Sequence, residues 1–298
     1  MASTGSNDDC VLFVAGGGNF GTKYNDVELV DLCANGTTST CPKPADLPRG
    51  MYEGSGLRTT KGNPLACGGE YDVMVCQEYV KESDSWVDGP EMMGSRVDTT
   101  AVELTNGSFW IMGSYTGDDV FTTEILVDDG FISGPDLPTG NVGYPCSTQV
   151  TDDITFYGNQ FGFLFDSRVG EFVETDMIMP HTAYKAACGA ATLPTGERLI
   201  VVAGGYDEVT VQSRVQVFSM KTRTWTEGPP LPSPLEYGLT VNIGETFFIV
   251  GGRDEDEENI GTILEFDVKN MAWITREETL SMPRALFYMI TVEKDRFC

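Results

Sequence analysis

Histidine is the side chain best suited to proton transfer near neutral pH, and this chain has one, His181, after the Met179-Pro180 step. It reads either as a general base or as an ordinary loop residue, since no nucleophile, base and orienting group stand together at recognisable spacing. The run Asp254-Glu255-Asp256-Glu257-Glu258 offers hard oxygen ligands that suit calcium. It lacks the alternating Asp-x-Asp spacing of a calcium loop, which points to a solvated hairpin tip. The pairs Asp118-Asp119, Asp128-Asp129 and Asp152-Asp153 read as turn residues. Eight cysteines contain no Cys-x-x-Cys, so with a single histidine they argue for disulfides over zinc and for an oxidising, extracellular compartment. No metal or other cofactor is expected, calcium being the one ion left open.

The 45 acidic and 19 basic side chains of the 298-residue chain leave a formal net charge of −26. Neutralising phosphates takes clustered Lys and Arg, so nucleic acids and anionic membranes are excluded as partners. No apolar run approaches the ~20 residues of a membrane span. The N-terminus has neither a basic nor an apolar leader region, so a secreted protein whose signal peptide has been removed is expected. Residues 1–9 are expected to form a disordered tail. Two glycosylation sequons, at Asn35 and Asn106, fall in expected turns.

The elements that must position these groups repeat. Apolar runs ending in glycine recur at Val11 to Gly18, Pro64 to Gly69, Phe109 to Gly113, Ile154 to Gly158, Leu199 to Gly205 and Phe247 to Gly252. Glycines 17, 68, 113, 158, 204 and 251 recur at intervals of 51, 45, 45, 46 and 47 residues, an internal repeat. Each run is short and rich in Val, Ile and Phe, the mark of a buried strand. A further strand follows each after a polar loop, and a third carries an aromatic. Four aromatic pairs lie seven residues apart: Tyr79 and Trp86, Phe165 and Phe172, Phe218 and Trp225, Phe266 and Trp273. Ahead of each next unit stand Leu47-Pro48, Met92-Met93, Leu137-Pro138, Met179-Pro180, Leu231-Pro232 and Met282-Pro283, each followed by a strand of small residues.

This pattern resembles the Kelch repeat, with its diglycine after an apolar strand and its paired aromatics, over roughly residues 10 to 298. The resemblance implies an all-β fold: one six-bladed Kelch-type β-propeller over 10–298, with four antiparallel strands per blade and the C-terminal strand closing blade one. The third, fourth and first units depart from the motif, with Gly113-Ser114, Gly158-Asn159 and no Trp respectively. Closure predicts a Cys10–Cys298 disulfide, with local bridges Cys33–Cys41 and Cys67–Cys76. Cys146 and Cys188 occupy equivalent positions on neighbouring inner strands and read as a disulfide, with a metal site or reactive thiol as the alternative.

Alternating strands bring two sets of loops to one face, which commonly takes the ligand in Kelch propellers. The first set presents Tyr24, Tyr71, Tyr115, Asp118, Phe161, Tyr206 and Asp207. The second presents Tyr52, Arg96, Asn141, Tyr144, His181, Tyr184, Glu236, Tyr237 and Arg284. Tyrosines and a few charges around a channel mouth suit a protein, glycan or small polar ligand, or else they cap the propeller by packing on neighbouring loops. The resemblance implies a binding module, which the cysteines place outside the cell; cross-linked termini and the large negative charge point to a monomer. The alternative is an enzyme of mutarotase, isomerase or lyase type using Arg96, Glu236, Tyr237, Arg284 or His181. A galactose-oxidase-type copper site needs two histidines, which this chain cannot supply, and the ligand set of iron-dependent specifier proteins is not found around His181.

Overall fold

The computed structural model describes residues 10–19, 21–33, 41–69, 74–114, 120–128, 130–139, 144–158 and 161–298. Tyr71, Tyr115, Asp118, Asp119, Asp129, Asn141, Asn35 and the 1–9 segment lie outside the described residues. The described residues form six antiparallel sheets arranged as propeller blades, beside a small two-stranded ribbon of Gly18–Asn19 and Thr22–Lys23. Blade two is Gly54–Arg58, Pro64–Gly68, Val75–Val80 and Ser85–Glu91, and blade three is Thr100–Glu103, Phe109–Met112, Thr123–Val127 and Gly130–Ser133. Blade four is Cys146–Gln149, Ile154–Gly158, Gly162–Asp166 and Glu171–Met177. Blade five is Ala187–Thr192, Arg198–Ala203, Val215–Ser219 and Thr224–Glu227, and blade six is Leu239–Ile243, Thr246–Arg253, Asn259–Asp267 and Ala272–Thr279.

Blade one joins the two ends of the chain. Tyr288–Val292 pairs with Val11–Ala15, Val11 opposite Val292 and Ala15 opposite Tyr288, and Val27–Asp31 completes its described strands. Its outer flank is covered by the segment entering blade two: Trp86 Nε1 donates to the Ala45 carbonyl at 2.8 Å, and the Ala45 N–H donates to Asp84 Oδ1 at 2.8 Å. Ring closure leaves no inner strand with an open neighbour.

Burial explains the sequence pattern. The second strand of each blade is covered by both adjoining blades, so it is apolar throughout instead of alternating, as in Val11–Ala15 and Phe109–Met112. Each aromatic pair meets across adjacent strands, with ring centroids 4.9 Å apart for Phe266 and Trp273, 5.2 Å for Phe218 and Trp225, and 5.5 Å for Tyr79 and Trp86. Blade three supplies its indole from the second strand instead: Trp110 packs 4.7 Å from Phe165 of blade four. Innermost strands crowd the axis and need small residues. A Cβ on Gly56 would collide with the Met289 carbonyl of the neighbouring blade. Hydroxyls stitch these strands together, Ser55 to Thr99 at 2.9 Å and Thr100 to Ser147 at 2.7 Å.

Two expected disulfides are corrected. Cys10 joins Cys33 and Cys41 joins Cys298, in place of Cys10–Cys298 and Cys33–Cys41. The register that sets Val11 opposite Asp31 brings Cys33 beside Cys10, with the Leu32 N–H donating to the Cys10 carbonyl at 3.0 Å. The helical turn Lys294–Phe297 carries Cys298 past the end of its strand to Cys41. Cys67–Cys76 and Cys146–Cys188 pair as expected. The acidic run 254–258 is a hairpin turn whose Asp254 Oδ1 accepts the Asp256 and Glu258 N–H groups at 3.0 Å.

Cross-links restrict the unfolded chain more when they close longer loops. The Cys41–Cys298 bridge spans 257 residues and Cys67–Cys76 spans 9. On that chain-entropy scale, Cys41→Ser with Cys298→Ser is expected to lower stability by roughly 5 kcal/mol, and Cys67→Ser with Cys76→Ser by about 2.6 kcal/mol. Urea unfolding of the two double variants checks the order; equal losses would contradict a ring-closing role.

Candidate functional site

One residue per blade turns the chain into its innermost strand: Leu286, Glu53, Asp98, Tyr144, Lys185 and Tyr237, from blade one to blade six. All six have left-handed backbone, with φ of 57°, 65°, 54°, 50°, 57° and 58°. Side chains other than glycine pay roughly 1–2 kcal/mol there, so the conformation persists only where its surroundings fix it. Here the backbone is handed from blade to blade. The Glu53 N–H donates to the Leu286 carbonyl, Asp98 N–H to Glu53, and Tyr237 N–H to Lys185, each at 2.9 Å. The resulting collar of six side chains lines a cavity of about 140 Å³, open to solvent, at one end of the central channel. A second cavity of about 220 Å³ occupies the other end, and Gly56, Ala101, Ser147 and Thr240 line both.

The collar is chemically uneven. Lys185 Nζ lies 4.7, 5.1 and 5.7 Å from the ring centres of Tyr237, Tyr206 and Tyr144 and 3.2 Å from Glu236 Oε2. Glu236 is buried and also accepts from Arg253 Nη2 at 2.6 Å and Nε at 3.0 Å. Tyr144 and Tyr237 meet edge to face with centroids 4.8 Å apart. On the other side, burial pushes the Asp98 carboxyl up to about 8, the nearby Glu53 charge adds to this, and a Tyr144 hydrogen bond and the Lys185 charge oppose it. Burial also raises Glu53, with Lys23 opposing. Burial raises both the Tyr144 and Tyr237 hydroxyls; the Asp98 charge adds to this at Tyr144, whereas the hydrogen bond with Tyr144 opposes it at Tyr237. A carboxyl that titrates near neutral pH in a cavity also lined by an ammonium can donate a proton to a bound molecule or accept one from it.

Of the residues singled out from sequence, Tyr144 and Tyr237 stand on the collar. Tyr52 packs against Tyr237, Ala285 and Leu286 behind it. Glu236 and Tyr206 support Lys185. Tyr184 donates to Glu208 at 3.1 Å, and Asp207 Oδ1 accepts the Val209 and Thr210 N–H groups of its own turn. Tyr24 holds its loop through backbone bonds to Gly17 and Met51. His181 is absent from the cavity lining; its side chain is 38% exposed, 3.9 Å from Glu227, and its backbone is clasped by Gln216.

Arg96 and Arg284 are reassigned from ligand contact to internal support, being 2% and 0% exposed. Arg284 pairs with Glu28 and Asp26 at 2.8 Å, and Arg96 pairs with Glu124 at 2.8 Å. Each sits two residues before the collar, a position filled by buried Met51, Ala183 and Leu235 in blades two, five and six. Glu124 also accepts the Met93 and Gly94 N–H groups, and Glu28 accepts that of Ser281, so each carboxylate clasps the loop entering its own blade.

Sequence reasoning missed Glu53, Asp98 and Lys185. The signal was a register: the collar lies six residues past buried Leu47, Met92, Met179, Leu231 and Leu280, and seven past Leu137. Leu280, not the exposed Met282 of the expected Met282-Pro283 motif, holds that position in the last unit. Among the described residues, the one cluster with metal-ligand spacing is Cys10, Asp31 and Cys33, whose thiols are joined to each other. No described helix is long and apolar enough to cross a membrane.

A closed six-bladed ring with a collared channel is a β-propeller with a central cavity. The Kelch motif family model matches residues 187–232, from the inner strand of blade five into the approach to blade six. The chain is thus a six-bladed propeller with a Kelch motif in blade five, and it is similar to Kelch-repeat proteins. It is 22% identical over 211 residues to the Kelch-like protein terF of Aspergillus terreus, covering 62% of this chain and 45% of that protein. It is 24% identical over 96 residues to an F-box/kelch-repeat protein of Arabidopsis thaliana, covering 32% of this chain and 23% of that one. The chain thus spans less than half the length of these curated relatives. The solved structure of YjhT superposes with a TM-score of 0.67 at 12% identity, over 88% of this chain and 96% of that one, a likeness of fold.

Two outcomes follow from the buried charges. Arg284→Ala strands Glu28 in the interior and is expected to cost roughly 3–5 kcal/mol in denaturant unfolding, whereas an Arg284 that served a ligand alone would be silent. Asp98 has its folded pKa, about 8, above an unfolded value near 3.9. The neutral form is accommodated below about pH 4, and the cost of ionising it grows as pH rises, completing near pH 8. Asp98→Asn is therefore expected to gain stability relative to the unsubstituted protein across that window and to level off above it. A constant difference from pH 4 to 9 would show that Asp98 titrates normally.

Proposed function

We propose that this Kelch propeller is an extracellular binding module whose collared channel mouth takes a small polar ligand. One observation carries the reading: all six blades place their left-handed collar residue on the same cavity, and five of the six carry a charged or hydroxyl group there. Strained backbone holding polar side chains around a concavity is the usual signature of a site. Four disulfides support the oxidising compartment. A protein or glycan partner would engage the same loop face.

A second reading is favoured by Asp98. A carboxyl raised to about 8 is largely protonated at neutral pH and can serve as a general acid on a bound small molecule, the chemistry of an isomerase or lyase. In that case turnover declines above about pH 8 and disappears in Asp98→Asn.

A thermal-shift screen of the non-reduced protein against sugars, organic acids, amino acids and nucleosides tests the binding reading. A ligand at a hundredfold excess over its Kd stabilises the folded state by about 2.7 kcal/mol. The shift is expected to shrink in Tyr144→Ala and Lys185→Met and to persist in His181→Ala. A shift unchanged in both collar variants places the ligand elsewhere.

A further inference from the structure

The innermost strands contact one another in a closed ring, from blade one through blade six and back to blade one. In a six-membered ring, blade two faces blade five and blade three faces blade six. Glu53 therefore stands across the channel from Lys185, and Asp98 across from Tyr237. The mouth has an acidic half and a basic half.

The basic half keeps a charge to offer. The carboxylate of Glu236 is matched by Arg253 as well as by Lys185, so the three groups carry one net positive charge, and of these Lys185 lines the cavity. Three tyrosine rings and an ion pair fix its ammonium. On the acidic half, Glu53 and Asp98 line the cavity from adjacent blades, tied by the Asp98 N–H donating to the Glu53 carbonyl at 2.9 Å; the Glu53 charge helps Asp98 keep its proton, and an incoming ammonium favours its release.

We infer that the channel mouth selects a zwitterion of α-amino-acid size, with its ammonium held by Glu53 and Asp98 and its carboxylate by Lys185. This rests on the reading that the mouth binds a small polar ligand. A neutral polyol would desolvate both halves without matching either charge. A simple anion would meet Glu53, and a simple cation would meet Lys185, so only a molecule bearing both charges is complementary across the ring.

The test titrates the common α-amino acids into the unsubstituted protein by calorimetry, together with their N-acetyl and C-amide derivatives, and with glucose, galactose and myo-inositol. At least one free amino acid is expected to bind, and removal of either charge to weaken it by roughly tenfold or more. Glu53→Gln is expected to erase the preference for the free ammonium, and Lys185→Met the preference for the free carboxylate. Equal affinity for free and capped forms, or binding of the sugars alone, overturns the zwitterion while leaving a polar-ligand mouth in place. Silence from amino acids and sugars alike overturns the zwitterion and removes the support for the mouth itself.

Discussion

Everything in this molecule depends on bringing six strands to one axis. Around a narrow channel the innermost strands have little room for side chains, and a Cβ at Gly56 would already strike the neighbouring blade. Blades two to five accordingly place short side chains such as Gly56, Ala101, Ser147 and Gly189 there, while Tyr288–Val292 and Leu239–Ile243 carry larger ones, and much of the cohesion comes from the buried second strands and from hydroxyl and backbone bonds between neighbours. The same crowding forces the chain to turn sharply as it enters each inner strand. That turn is the left-handed collar residue, so the site is a consequence of the packing problem and not an addition to it.

Charge buried behind the collar follows the same logic. A protein with net charge −26 could satisfy its loops with water, yet Arg96 and Arg284 are placed inside, each with a carboxylate that also accepts backbone N–H groups. Such pairs add little net stability against a well-packed apolar alternative, which Met51, Ala183 and Leu235 supply in other blades. What they provide is direction: guanidinium and carboxylate together fix where the entering loop ends, and hence where Asp98 and Leu286 project. In blade five Gln216 clasps His181 through neutral hydrogen bonds, so the clasp does not require charge.

The blade count, the strand order and the closing strand were legible because they rest on apolar periodicity and glycine spacing, which burial imposes directly. The four aromatic pairs were legible for the same reason. The cysteine partners were only half legible: closure brings Cys10, Cys33, Cys41 and Cys298 into one neighbourhood, but choosing among them needs the Val11–Asp31 register and the final helical turn. In the site, tyrosines drew the eye, yet Glu53, Asp98 and Lys185 sit one or two positions beyond Tyr52, Arg96 and Tyr184. A shift of one residue decides whether a side chain enters the cavity or packs behind it, and nothing in the types of these residues encodes that step. The Leu280 register does encode it, once the exposed Met282 is set aside.

Because the collar positions are equivalent in backbone, their side chains can differ without disturbing the blades. Five hydrogen-bonding or charged groups and one leucine occupy six nearly identical sites, and the asymmetry lies between halves of the ring, not within any blade. Beneath them the Cys146–Cys188 bridge ties the inner strands of blades four and five, the blades that carry Tyr144 and Lys185. That tie holds the cationic side of the mouth on a covalently fixed wall, while the acidic side is held by the backbone bonds from Glu53 to Leu286 and from Asp98 to Glu53 and by hydroxyl contacts between blades two, three and four.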